Sequence, residues 1–326
     1  MIRLCASACA HPNVALIKYW GKRDSGRNLP AVGSLSITLG AMQTQTSVCF
    51  DDALTEDSLL LDGKPAVGEQ PRLRACLDAL RGLAGDGRCA RIESSNDFPT
   101  AAGLASSASG YAALVVAGAA ALGLDHKDPR LVDVARIGSG SAPRSLFGGF
   151  ALLRVVGDDT HCEQLLPADD WPLQVVVAVT RESGKSVTSR DGMRSSRLTS
   201  DFYPAWVDSH AAALDAAISA VAKRDFEQLA DLSEHSCLKM HAVMMSTRPP
   251  LLYWSPATLA CVHEIRAMRS EGLGVFFTID AGPQVKAVCL PDARDAVCAR
   301  LEALPGVLRL IPGGLGGPPD VARIDA

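Results

Sequence analysis

Between Phe98 and Leu124 the chain carries no charged side chain, and Tyr111 to Leu124 (YAALVVAGAAALGL) is apolar throughout. Such a segment belongs either in a membrane or inside a protein core, where every face of a helix can be covered. The unbroken apolar part is shorter than the roughly 20 residues a bilayer requires. It is preceded by a proline, a glycine and several hydroxyl residues, and no Lys or Arg flanks it as a membrane anchor. A helix buried in a domain core is therefore expected, and no membrane association. With 326 residues, 48% of them hydrophobic and 21% charged, the chain is long enough to bury such a helix. Chains beyond roughly 250–300 residues usually divide, so two domains are expected, and the composition excludes disorder.

Periodicity places the other elements. Ser36 to Phe50 alternates in the manner of strands, and Ser58 to Leu61 reads as a strand meeting a turn at Asp62-Gly63. Arg72 to Leu83 sets its leucines at helical spacing, with Arg and Asp on the opposite face. Residues 91–96 form a short strand, and the segment after Pro129 forms a helix that ends at glycines. LQVVVAV (173–179) is a β-branched run typical of a strand buried on both faces. It follows the turn PADDWP, which suggests domains of residues 1–170 and 171–326. Three helical patterns follow, and then VFFTI, the turn DAGP and QVKAVCL read as strand, turn and strand. The fold class is α+β. The sequence leaves open whether the glycine- and proline-rich tail PGGLGGPPD is ordered.

The formal net charge is −4, and no run of five basic residues occurs. Without a wide basic face a nucleic-acid partner is not expected, and any anion site must be local. Ten cysteines lie scattered with no C-x-x-C pair, and the N-terminus lacks a convincing signal sequence. Reduced core cysteines and a cytoplasmic location are the expectation. Two nucleotide motifs fail on spacing. The first glycine of a P-loop ending at Gly184-Lys185-Ser186 would fall at Val179, inside a strand, and Gly138-Ser-Gly-Ser-Ala-Pro143 follows a helix rather than a strand.

Five segments can carry chemistry. Pro99 to Ser109 runs from small residues into the buried helix, so close backbone approach, free N–H groups and serine hydroxyls could cradle phosphate; a tight packing turn would look the same. Asn13 to Asp24, Gly138 to Ser145 and Thr188 to Arg194 each offer cations and hydroxyls, with Lys22, Arg144 and Arg190 as charges and Tyr19, Ser139, Ser141 and Ser189 as donors. Around one pocket they would bind a highly anionic small molecule. Taken alone, KYWGKR could equally be a surface patch or an RNA contact. In the fifth, Thr278 to Pro283, Asp280 ends an apolar strand and either points into a cleft or caps its own turn.

In this order, NVALIKYWGKRD, GSLSITL, NDFPTAAGLASSASGYAAL, RIGSGSAPRSLFGGF, SRDGM and the DAGP turn closely resemble the mevalonate diphosphate decarboxylases of the GHMP small-molecule kinase superfamily. The resemblance implies an N-terminal ribosomal-protein-like α/β domain beside a ferredoxin-like α+β domain. It implies ATP-dependent decarboxylation of mevalonate 5-diphosphate to isopentenyl diphosphate, with Mg²⁺ accompanying ATP and no protein ligand for the ion identified. Asp280, Arg144 and Lys18 are the implied catalytic residues. Asp280 would orient or deprotonate the C3 hydroxyl, and Arg144 would hold the carboxylate or the moving phosphoryl group. Asn13, Tyr19, Lys22, Ser139, Gly140, Ser141, Ser189 and Arg190 would hold the substrate. Asn96 and the run Pro99, Ala101, Ala102, Gly103, Leu104, Ala105, Ser106 and Ser107 would hold ATP. A homodimer is expected on the same basis. Pro143 departs from the family pattern, which has a small residue or cysteine there. The alternatives are a phosphomevalonate decarboxylase or mevalonate kinase-like enzyme of the same fold, and more remotely an RNA-contacting protein.

Overall fold

The computed structural model describes residues 3–98, 104–182 and 187–324. The first sheet has six strands in the order 320–324, 3–10, 44–51, 89–96, 58–61 and 64–65, and only the pair Ser58–Leu61 with Cys89–Asn96 is parallel. The charge-free segment forms the helix Ser106–Ala121, buried along nearly its whole length against this sheet. Small residues make the close packing possible. Ala6, Ala8 and Ala10 of the first strand lie under a helix that is itself rich in alanine, while Leu114, Val115 and Val116 share an apolar cluster with Leu73, Leu77 and Leu80 of the helix Gln70–Ala84. Each such fully buried aliphatic side chain contributes about 1.5–3 kcal/mol. Among the described residues no helix is long and apolar enough to cross a membrane.

A second sheet orders strands 159–166, 150–156, 34–38 and 13–17, and a third orders 275–279, 285–289, 174–179 and 309–314, both wholly antiparallel. Helices Phe226–Met245, Pro256–Ser270 and Arg294–Glu302 pack with the third sheet. One apolar cluster joins the second and third sheets. Val14, Leu16 and Ile17 meet Val175, Val177, Phe276 and Val288 in it, so strand Asn13–Ile17 is buried at every residue. The mixed helix and sheet content is the α+β class read from the sequence.

The structure answers one question the sequence left open and corrects one expectation. PGGLGGPPD is ordered: Pro312 to Gly314 pair with strand Gln174–Val179, Leu315 bridges to Leu39, and Asp320 opens a strand that joins the first sheet beside Arg3–Ala10. Two of its glycines serve close approach, since a Cβ on Gly313 would stand 2.4 Å from that of Ala41 and one on Gly316 would stand 3.1 Å from the Cα of Gly40. Periodicity missed these strands because glycine and proline carry no apolar side chain to alternate. The cysteines are also not all reduced. Cys5 and Cys49 form a disulfide with Cα atoms 4.2 Å apart, and the other eight are free. The two face each other across neighbouring antiparallel strands, a register that linear spacing does not reveal.

Candidate active site

A cavity of about 640 Å³ opens between the first sheet, strand Asn13–Ile17 of the second sheet and the turn that follows strand Val275–Ile279, and it gathers residues from across the chain. Its walls include Asn13, Lys18, Tyr19, Lys22, Asn96, Ala105, Ser106, Ser107, Ser139, Gly140, Ser141, Arg144, Ser189, Arg190 and Asp280, all of them anticipated from the sequence. Leu104 is instead buried in the apolar core away from the lining. Pro99, Ala101, Ala102 and Gly103 lie outside the described residues.

Lys18 follows the last residue of strand Asn13–Ile17, where its backbone N–H donates to Ser236 Oγ at 2.9 Å. Its Nζ donates to Asp280 Oδ1 at 2.6 Å, with Lys18 only 1% exposed and Asp280 29% exposed. Asp280 comes directly after strand Val275–Ile279, and its carbonyl accepts from Gly282 N–H in a tight turn that aims the side chain at the cavity. Burial pushes the Asp280 carboxyl up, but the charges of Lys18, Lys286 and Arg144 and the Lys18 hydrogen bond outweigh it, so it titrates below the ordinary aspartate range. It is a carboxylate at neutral pH. A depressed pKa makes it a weak base and a good charged acceptor for a substrate hydroxyl.

Arg144 is 3% exposed and lies in the short 3-10 helix Ala142–Leu146. Its Nε donates to Asn13 Oδ1 at 3.2 Å and one terminal nitrogen donates to Ser34 Oγ at 2.7 Å. Asn13 in turn donates to the Ser141 carbonyl and to Ser145 Oγ, tying strand to helix. Pro143 stands in the first turn of that helix, where a missing N–H is tolerated. Among the described residues no carboxylate comes within ion-pair distance of Arg144, and burial pulls its pKa down. A desolvated guanidinium held only by neutral oxygens is a preformed anion site.

The cations are also crowded. Lys22 donates to Asn28 Oδ1. Burial, followed by the charges of Arg190 and Arg72, lowers its pKa to about 8. Tyr19 brings a buried hydroxyl with no hydrogen-bond partner, and burial holds its pKa far above the usual tyrosine range. It sits against Gly140, where a Cβ would stand 2.7 Å from that hydroxyl. Ser107, Ser139 and Ser141 form a chain of hydroxyls at 3.3 and 3.2 Å. Ser189 and Arg190 open the helix Ser189–Thr199, which Thr188 caps by accepting from Asp191 N–H. An unpaired hydroxyl, a hydroxyl chain and mutually repelling cations together suit a polyanion.

At the other end of the cavity the helix Ser106–Ala121 begins after Ala105, whose φ of 59° is left-handed and costs about 1–2 kcal/mol in a non-glycine residue. Asn96 accepts from Thr44 Oγ1 at 2.6 Å, and Thr44 in turn meets Ser109 Oγ at 2.6 Å. Beyond them the wall turns apolar at Leu59, Leu61, Leu73, Ile92 and Leu114, with Thr46 and Ser94 as polar points. One end thus suits a polyanion, the middle a reacting centre and the far end a flat apolar ring.

Sequence reading missed Arg72, Glu69, Tyr111, Ser34 and Lys286. Arg72 pairs with Glu69, lies 5.6 Å over the Tyr111 ring and lines the cavity. Its place on the polar face of the helix was legible, but Arg72 lines the cavity while Arg74 and Asp78 of the same face meet solvent. Tyr111 Oη donates to Glu69 at 3.0 Å, a link that sequence distance conceals.

Comparison with known proteins agrees with this geometry. Residues 10–163 match the diphosphomevalonate decarboxylase-like N-terminal domain, and residues 175–305 match the mevalonate 5-diphosphate decarboxylase C-terminal domain. The diphosphomevalonate decarboxylase of Candida albicans is 35% identical over 302 residues, covering 85% of this chain and 82% of that protein. The mevalonate diphosphate decarboxylase from Enterococcus faecalis superposes with a TM-score of 0.89 at 37% identity, over 99% of this chain and 100% of that one. MDDEF, solved in complex with MVAPP, AMPPCP and magnesium, superposes with a TM-score of 0.90 at 38% identity, over 99% of this chain and 100% of the other. With both halves matched and the carboxylate and cations gathered in one cavity, the chain belongs to the diphosphomevalonate decarboxylase family.

Proposed function

We infer that this chain catalyses the ATP-dependent decarboxylation of mevalonate 5-diphosphate to isopentenyl diphosphate, with release of carbon dioxide, ADP and phosphate. The observation that carries the reading is the ion pair of a buried Lys18 with the cavity-lining Asp280, in one cavity with a cluster of cations and hydroxyls and an apolar wall. Tyr19, Lys22, Ser139, Gly140, Ser141, Ser189 and Arg190 hold the diphosphate, and Asn13 fixes the floor. Asp280 accepts a hydrogen bond from the C3 hydroxyl and orients its oxygen for attack on the γ-phosphorus of ATP, so that the O–P bond forms as ADP leaves and the hydroxyl proton passes to the transferred phosphate or through Asp280 to solvent, while Lys18 holds the carboxylate in place. Arg144 binds the substrate carboxylate or the departing phosphate, and loss of that phosphate draws the C–C bonding electrons to C3 as carbon dioxide leaves. The Asp280 charge faces the carbon that becomes electron-deficient.

ATP is the co-substrate. Its phosphates meet Ser106, Ser107 and the start of the helix, Asn96 lies beside the ribose or base, and the apolar wall takes the ring. The described residues contain no group of three or more His, Cys, Asp or Glu side chains that could hold a metal. Mg²⁺ suits such a site when phosphate and water supply most of its ligands, and the hydroxyls of Ser106 and Ser107 are the nearby protein donors. The ion would neutralise phosphate charge during transfer. We also propose the division into residues 1–170 and 171–326, a homodimer and a cytoplasmic location; eight free cysteines and the family resemblance support the last two.

The direct test is ADP release from Mg²⁺-ATP with mevalonate, its 5-phosphate and its 5-diphosphate, with carbon dioxide trapped in parallel. ADP and carbon dioxide together with the diphosphate alone are expected. Turnover of the monophosphate would reassign the substrate, and ADP without carbon dioxide would make the chain a kinase. The crowded Lys22 adds a pH signature. Its pKa of about 8 leaves it charged below that pH and neutral above, so KM for the diphosphate should be flat below pH 8 and rise by up to about tenfold per unit above it. Lys22→Met should have a high KM at every pH and lose that rise. A KM with the wild-type pH dependence in the variant would remove Lys22 from the diphosphate site.

A further inference from the structure

The third sheet has two chemically different faces. Phe277, Ile279, Val285 and Ala287 pack with Cys261 and Ile265 of the helix Pro256–Ser270. Phe276, Val288, Val175 and Val177 turn the other way and pack with Val14, Leu16 and Ile17. Alternation puts Thr278 and Lys286 on this second face, and the register sets them directly opposite each other. Thr278 Oγ1 donates to the Ala15 carbonyl at 3.0 Å, so this face meets strand Asn13–Ile17 just before Lys18. Asp280 lies two residues beyond Thr278.

Lys286 is 2% exposed, and its Nζ donates to the Gln284 carbonyl at 3.4 Å. An ammonium group is costly to desolvate, and the packing here does not call for one. Val177 opposite it on the neighbouring strand and Val288 two residues on occupy the same face as apolar side chains. A lysine retained at such a position acts through its charge, and the catalytic turn is where that charge is felt.

We propose that Lys286 is a positioning residue of this site: from the sheet side it brackets the Asp280 carboxylate opposite Lys18, keeping it anionic and aimed at the C3 hydroxyl. The role rests on the decarboxylase reading. The groups facing Asp280 are Lys18 from the end of strand Asn13–Ile17, Lys286 from strand Val285–Cys289, Arg144 from the short helix Ala142–Leu146, and Cys237 and His241 from the helix Phe226–Met245. Burial pushes Cys237 up to about 11 and His241 down to about 3, so both are neutral at pH 7. The three cations are the groups among these that carry charge, and Lys286 alone of them reaches Asp280 through its own sheet.

The test compares Lys286→Met, Lys286→Gln and Lys286→Arg in the full-length protein. The titration of Asp280 is followed by carboxyl ¹³C NMR, its signal assigned by its loss in Asp280→Asn, beside the pH profile of kcat. In the two neutral variants the Asp280 midpoint should rise by about one pH unit, the acid limb of kcat should move with it, and KM for the diphosphate should stay within about twofold. Lys286→Arg should keep the wild-type midpoint. A merely structural lysine would lower stability and leave the midpoint where it was, and that result in a folded neutral variant overturns the proposal whatever the assay shows. Failure of the wild-type protein to release carbon dioxide would instead overturn the decarboxylase reading.

Discussion

Asp280→Asn is expected to bind mevalonate 5-diphosphate within a few-fold of wild type and to turn it over about 10³-fold more slowly or worse. Asparagine is nearly isosteric and still offers Lys18 an oxygen acceptor, so the 2.6 Å contact can persist in shape. What disappears is the negative charge beside the reacting centre, while Tyr19, Lys22 and Arg190 at the diphosphate end stay untouched. An interaction made mainly in the transition state lowers kcat and leaves KM nearly alone. General acid–base and electrostatic contributions of this kind reach about 10²–10⁴-fold. Lys18, 1% exposed, would lose its counter-charge. Stability should therefore drop, though by less than the about 3–5 kcal/mol that removing a buried partner outright costs. Steady-state kinetics with a melting curve checks both parts, and a variant with near-normal kcat would show that Asp280 does not act on the reacting centre.

Arg144→Met is expected to lose about 10³-fold in kcat/KM while its melting temperature stays within a few degrees of wild type. The guanidinium is buried at 3% exposure and held by Asn13 and Ser34, both neutral. In the absence of an anion its charge is a burden on the fold, one that burial already expresses by pulling its pKa down. Methionine fills much of the volume without that burden, so the lost hydrogen bonds are offset by relief of desolvation. Turnover has no such compensation, because removing one preorganised donor at developing charge costs about 10²–10³-fold and this one also carries a full charge. Activity and stability thus separate at one residue. If the variant is both inactive and strongly destabilised, Arg144 is mainly a structural tie between strand Asn13–Ile17 and the helix Ala142–Leu146.

These two residues also show why part of the site was legible in the chain. Asp280, where an apolar strand meets a Gly-Pro turn, and Arg144, among serines and glycines, stood out as candidates, but their local pattern left bland readings open and the family resemblance singled them out. Arg72 gave no such sign. On the polar face of an amphipathic helix a cavity-facing arginine looks identical to a solvent-facing one. Lys286 was passed over for the converse reason, being one charged residue in an apolar alternation whose neighbours read as an ordinary strand.

Local pattern determined the elements that bury themselves independently of their partners. The charge-free run had to yield a core helix, and the β-branched run 174–179 a central strand. Each follows from backbone hydrogen bonding and side-chain periodicity within one stretch of chain. Only tertiary structure decided the rest, because it depends on register and on which faces meet. It placed Cys5 opposite Cys49, carried the glycine-rich tail back to the first strand, and set Lys18 within 2.6 Å of an aspartate 262 residues away. A hydrophobic pattern states that a face is covered without naming what covers it, and a charge state depends on its neighbours in space. The depressed pKa of Asp280 and the crowding of Lys22 exist only once strands and helices distant in sequence have closed around one cavity.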